Sequence, residues 1–151
     1  MKLILTPAAA LIIAGCAAQE LGKPAEIRPG PNGETVHYFP QLPYGRVTYA
    51  KRYDADGKLI ATEQRLTEEN TARVVKGKSR MNEVRDLLGP PWQPVRQERT
   101  KRDVWTYPMR VNGDPNPKWF VVEMSYDGVV REAFLMDDPQ YQAPDSPGRR
   151  R

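Results

Sequence analysis

The chain is 151 residues long, with 23 Lys and Arg against 19 Asp and Glu, one cysteine and one histidine. A single cysteine excludes an internal disulfide, and with a single histidine it also excludes a Cys/His zinc cluster and a catalytic histidine pair. The basic excess is terminal. Setting aside Lys2 and residues 149–151 leaves 19 of the basic groups, and setting aside Asp145 leaves 18 of the acidic ones. Residues 16–144 are therefore nearly neutral and lack the basic stripe that a phosphate backbone requires, which argues against a nucleic-acid partner.

Behind Lys2, residues 3–14 form an apolar run about half the roughly 20 residues that a membrane-spanning helix needs, so the segment reads as an address rather than an anchor. It closes on Ile13-Ala14-Gly15-Cys16. Small Ala14 and Gly15 suit a narrow peptidase cleft, and the Cys16 thiol would take a diacylglycerol before cleavage frees its amine for a further acyl chain. Residues 1–15 thus resemble a bacterial lipoprotein signal peptide, with Cys16 as the lipidation site. An ordinary secretory signal cut near Ala17 or Ala18, or a buried core cysteine, is the alternative. By the sorting pattern of such lipoproteins, Ala17 in place of Asp after the cysteine implies the cell outer membrane, with the protein lipid-anchored and facing the periplasm.

Residues 16–34 offer almost nothing to bury and read as a flexible tether. His37, next to Tyr38 at the tether's edge, reads as a surface or packing residue. Val47, Tyr49, Lys51 and Tyr53 alternate with Arg46, Thr48, Ala50 and Arg52. The turn residues Asp54-Ala55-Asp56-Gly57-Lys58 follow, and residues 59–66 return as a second strand. Thr67 suits a helix N-cap and Glu68 and Glu69 suit the first turn, so a short helix is expected over 68–76, ended by Gly77. Ser79 is the expected cap of a second helix, whose Met81, Val84, Leu87 and Leu88 recur at three-to-four-residue spacing and face a core. Gly89 stops that helix, and Pro90-Pro91 forbids its continuation.

Four strands are expected next, over 94–99, 103–111, 118–126 and 129–136. The last two are joined by an Asp127-Gly128 hairpin turn, and the loop at 112–117 is too short for a crossover helix. Arg96, Arg99, Lys101 and Arg102, interleaved with Glu98 and Asp103, read as a solvated hairpin tip. From residue 137 the chain is rich in Pro, Asp and Gly and ends in three arginines, a disordered basic tail over 137–151. The expected fold class is α+β. Two short helices pack on a mostly antiparallel three- to four-stranded sheet, preceded by an extra β-hairpin, in one domain over 35–136.

Gly77-Lys78-Ser79, Glu83-Val84, Leu87-Leu88-Gly89-Pro90-Pro91, Val104-Trp105-Thr106-Tyr107 and Tyr126-Asp127-Gly128-Val129, in that order, resemble the SmpA/OmlA (BamE-like) outer-membrane lipoprotein domain over about residues 67–136. The resemblance implies a small helix-pair-on-sheet domain held at the periplasmic face of the outer membrane. It also implies a protein-binding accessory role in outer-membrane β-barrel assembly or envelope integrity. The partners would be an outer-membrane or periplasmic protein, the barrel-assembly machinery among them, and the membrane itself through the lipid anchor. The family's lipid site carries over onto Cys16. No catalytic residue, metal or cofactor carries over beyond the covalent diacylglycerol and N-acyl chain. The alternative from another class is an inhibitor-like or cell-wall-associated periplasmic binding module. Catalysis has no support in the sequence, since Asp86, Glu123 and Asp127 are scattered.

The strand at 118–126 carries the last clue. Phe120, Val122, Met124 and Tyr126 point one way, and Trp119 and Val121 point the other. Two helices cover one side of a sheet, so Trp119 and Val121 need a second cover or form a protein-interaction surface. The leading hairpin, with Val47, Tyr49 and Tyr53, is the candidate cover.

Overall fold

Residues 21–141 are described by the computed structural model; the segment at 1–15, Cys16 and residues 142–151 lie outside the described residues. The fold is α+β with two sheets rather than one. The first sheet runs in chain order through β1 (Glu26–Pro29), β2 (Thr35–Pro40), β3 (Thr48–Tyr53) and β4 (Leu59–Gln64). Two short helices follow, α1 (Glu68–Ala72) and α2 (Met81–Leu88). The second sheet is again in chain order: β5 (Gln93–Gln97), β6 (Arg102–Met109), β7 (Lys118–Ser125) and β8 (Val130–Asp137). All pairings are antiparallel.

The expected hairpin at 46–66 is therefore the second half of a four-stranded sheet. Residues 26–34, expected as tether, form β1 and the turn into β2. What holds them is charge rather than apolar area. Arg28 Nε donates to Asp86 Oδ1 at 2.5 Å, and Arg85 Nε donates to both Glu26 oxygens at 2.7 and 2.9 Å, so both ends of these pairs bridge β1 to α2. A segment without an apolar period folds because its alternating Glu26 and Arg28 meet opposite charges on a helix surface.

The alternation in β3 is right in period but opposite in phase to the expectation that the tyrosine side packs. Thr48 and Ala50 are buried, whereas Tyr49 and Tyr53 are only partly covered on the outer face. The reason is the close approach of the α2 terminus. Gly89 has φ +82°, and a Cβ built there would lie 2.9 Å from both Thr48 Cγ2 and Tyr38 Cδ1. Thr48 and the Tyr38 ring pack together on that bare Cα.

The main core lies between α2 and the inner face of the second sheet. Val84 and Leu88 meet Trp105, Tyr107, Met109, Phe120, Val122, Met124 and Val130, with Met81 and Leu87 packed at the margin. Leu66 and Val74 close it from the chain before α2. The first sheet backs onto the other side of the helix, where the Tyr38 hydroxyl donates to Asp86 O at 2.8 Å.

The first helix ends at Ala72, short of the expected residue 76, and Ser79 does not cap the second. The Ser79 hydroxyl instead accepts from Val75 N–H at 2.9 Å, and Ser79 O accepts from Val130 N–H at 2.9 Å. These bonds draw residues 77–80 against the start of β8, so α2 begins one residue later, with Glu83 accepting from Arg80 N–H at 2.7 Å. Thr67 caps α1 as expected, accepting from Asn70 N–H at 3.1 Å.

The expected tail also begins too early. Asp137 is the last residue of β8, and Asp138 is 2% exposed, its carboxylate accepting from Arg46 Nη2 at 2.6 Å. That pair ties the β2–β3 loop to the far end of the second sheet.

Gly89→Ala should cost about 3 kcal/mol, from backbone strain plus a clash with Tyr38 and Thr48. Gly77→Ala, also at positive φ but facing open space, should cost only about 1 kcal/mol. Leu88→Ala should cost about 2 to 5 kcal/mol through a core cavity. Urea midpoints read all three, and equal losses for the two glycines would contradict the packing described here.

Candidate protein-binding face

Antiparallel register assigns every residue of the second sheet to a side. Trp105 pairs with Val122 and Tyr107 with Phe120, and these face α2. The opposite side therefore carries Val104, Thr106 and Pro108 from β6, Trp119 and Val121 from β7, Val95 from β5, and Phe134 and Met136 from β8. Trp119 and Val121, singled out in the sequence, thus share one face as expected. Val121 is buried, flanked in register by Thr106 and Phe134, and Trp119 is partly covered.

The leading hairpin does not cover this face. The first sheet is committed to α2 through Tyr38, Arg28 and Glu26, on the other side of the second sheet. What shelters Trp119 is Trp92, whose ring meets it edge-on with centroids 5.6 Å apart. Pro108, opposite Trp119 in register, is fully buried beside them. Trp92 was legible only as the residue after Pro90-Pro91. The Trp119 indole N–H is buried and meets no acceptor among the described residues.

Around that aromatic pair the patch is open. Val95 on β5 and Phe134 and Met136 on β8 are exposed at the two edges of this face, and exposed apolar residues gathered on one face mark interaction sites. Glu123 and Glu132 stand directly opposite one another at one end of the same face, an acidic rim partly answered by Lys76, which pairs with Glu132. The signal for Phe134 and Met136 was present as the uncharged run at 133–136, but a run does not tell which side is open.

The remaining chemistry-bearing residues are dispersed. Asp86 is held by Arg28 on α2, Glu123 sits on the open face, and Asp127 holds the β7–β8 turn by accepting from the Ser125 hydroxyl and from Val129 N–H. His37 lies on the outer face of the first sheet against Tyr53, ring centroids 4.6 Å apart, next to Phe39, Tyr49 and Lys51. An open cleft of about 390 Å³ beside α2 is lined by Arg65, Arg73, Ser79, Glu83, Asp86 and Leu87. Its carboxylates are engaged, Asp86 with Arg28 and Glu83 with the Arg80 N–H. Among the described residues, no cluster of three or more His, Cys, Asp or Glu converges as a metal site, and no helix is long and apolar enough to cross a membrane.

The basic tip is structural. Arg96 donates to both Asp103 oxygens at 2.8 and 3.0 Å and lies over the Tyr126 ring at 4.6 Å, and Lys101 approaches the same ring. The Arg96 hydrogen bond holds the Asp103 carboxyl below its ordinary range, whereas burial raises the Tyr107 and Tyr38 phenols. Comparison with protein-family models, curated proteins and solved structures found no match to the chain.

Because Asp103 is depressed in the folded state, its stabilising contribution is present above the ordinary carboxylate range and is lost as pH falls through the folded value. Acid unfolding below about pH 4 should therefore become shallower in Arg96→Gln, which also lowers neutral-pH stability. Parallel acid-unfolding curves for the two proteins would contradict that coupling.

Proposed function

We propose that the protein is an outer-membrane lipoprotein that binds another protein through the outer face of its second sheet, as an accessory factor in β-barrel protein assembly or envelope integrity. The observation that carries the reading is the open apolar surface around Trp92, Trp119 and Val121, with Val95 exposed beside it. A partly covered aromatic pair on a face that also carries exposed apolar residues is the composition of an interface hot spot. The anchor rests on Ile13-Ala14-Gly15-Cys16. Acyl chains on Cys16, at about 0.8 kcal/mol per buried methylene, hold a protein on a membrane far more firmly than one chain can. The role in assembly rests on the family resemblance of residues 67–136.

A second reading, a cell-wall-associated binding module, is favoured by the first sheet's outer face. There the partly exposed Tyr49, Tyr53 and His37 offer aromatic surfaces suited to stacking on glycan rings.

The test is extraction of the native protein from membranes in mild detergent. A co-purifying protein that is lost in Val95→Glu, with urea unfolding unchanged, supports the protein-binding reading; retention on peptidoglycan that is lost in Tyr49→Ala supports the second. Unchanged co-purification in both Val95→Glu and Trp119→Ser would overturn the assignment of this face. In mass spectra the mature chain should carry acyl groups that Cys16→Ala abolishes, and an unmodified, soluble wild-type chain would remove the anchor.

A further inference from the structure

The described residues present four sheet edges, and three are blunted. The first strand has only four residues and contains Glu26, Arg28 and Pro29; β5 contains Pro94 and Arg96; and β4 contains Glu63 and an extra residue, Ile60, where its pairing with β3 slips. Proline, charge and irregularity are the devices that keep an edge from pairing. The eight-residue β8 carries Arg131 and Glu132 near its start and Asp137 at its end, and lacks these devices between them. Its first residue is occupied, since Val130 N–H donates to Ser79 O and Val130 O accepts from Gly77 N–H, and Arg131 is the extra residue of a slip against β7. From there Ala133-Phe134-Leu135-Met136 is uncharged, regular and open, with Phe134 41%, Leu135 44% and Met136 39% exposed. Apolar groups therefore line both faces of an unpaired edge.

We propose that β8 is a self-association edge, pairing antiparallel with β8 of a second copy of this chain about a two-fold axis at Phe134. Charge favours that register through Arg131 and Asp137, whose partners within one copy are the exposed Asp127 and Lys118. A two-fold at Phe134 sets Phe134 against its own counterpart, Ala133 against the second copy's Leu135, and Arg131 against its Asp137. Centring on Leu135 instead would bring Glu132 to Asp138, which lies past the end of β8 and is buried on Arg46, and would leave Arg131 opposite Pro139 with no acidic partner. Centring on Ala133 would carry the second strand onto Val130, whose backbone groups are already taken by residues 77–80.

An antiparallel pair has its two-fold perpendicular to the sheet, because residues directly opposite must share a face. The result is one eight-stranded sheet. Both copies' Trp119, Val121, Phe134 and Met136 then lie on the same side, which doubles the open apolar face. The pairing uses the strand edge and stands whether or not that face docks another protein.

The test uses the full-length chain in its native membrane. Phe134→Cys treated with a short bismaleimide should give a dimer-sized species at about tenfold the yield of Leu59→Cys, which places a thiol on a blunted edge, because pairing raises the effective concentration of the two thiols. Wild type controls for any contribution from Cys16. Arg131→Glu added to Phe134→Cys should lower the yield several-fold, and Asp137→Arg added to that pair should restore it. As a second measurement, wild type in detergent should sediment with a concentration-dependent mass that Leu135→Lys reduces to the monomer. Equal cross-linking of Phe134→Cys and Leu59→Cys, a yield indifferent to the charge reversal, or a monomer at all concentrations would overturn the proposal.

Discussion

Both sheets meet at a single backbone position, Gly89, and the rest of the architecture is arranged around that contact. Its carbonyl accepts from the Tyr107 hydroxyl of the second sheet at 3.0 Å, and its Cα lies so near Tyr38 and Thr48 of the first that a Cβ would collide with both. The left-handed φ ends α2, and Pro90-Pro91 then turns the chain directly into β5. One residue without a side chain thus terminates the helix, satisfies a buried phenol and sets the spacing of two layers. Thr48 and Ala50 face inward beside Tyr38, with the Thr48 methyl packed on that glycine.

The layers are joined mainly through polar groups. Arg85 reaches from α2 to Glu26 of β1 while its guanidinium lies over the Trp105 ring of β6, so one side chain touches three elements. At the other end of the molecule, Asp138 is almost wholly buried against Arg46, and Asp138 N–H donates to Pro117 O. Breaking a buried pair of this kind leaves an uncompensated charge, which is costlier than the pair's net worth. The near-neutral balance of residues 16–144 is thus spent in part on internal seams.

A helix between two sheets leaves each sheet with an outer face. The first carries His37, Phe39, Tyr49 and Tyr53, and the second carries Trp119, Val121 and their apolar neighbours. Trp92 packed on Trp119 limits the exposed indole area without closing the patch, and Val95 and Met136 extend it to either edge. In this layout α2 supports the second sheet from behind and leaves the opposite face free.

Much of the second sheet and α2 was legible in the chain. The stripe of Met81, Val84, Leu87 and Leu88, the stop at Gly89-Pro90-Pro91 and the Asp127-Gly128 turn are local signals, set by helical period, missing amide hydrogens and positive φ. The alternation in β7 also separated Trp119 and Val121 from Phe120, Val122 and Met124, because side chains on a strand alternate regardless of what covers them. Tertiary structure decided the rest. Glu26 and Arg28 form a strand where Arg85 and Asp86 meet them, and Ser79 leaves its capping role as its hydroxyl accepts from Val75 N–H and its carbonyl from Val130 N–H. Trp92 reaches Trp119 across Pro108, 27 residues apart in sequence. Periodicity records which residues share a side, but which side is buried depends on partners distant in the chain, and those partners placed the first sheet on α2 and left the Trp119 face open.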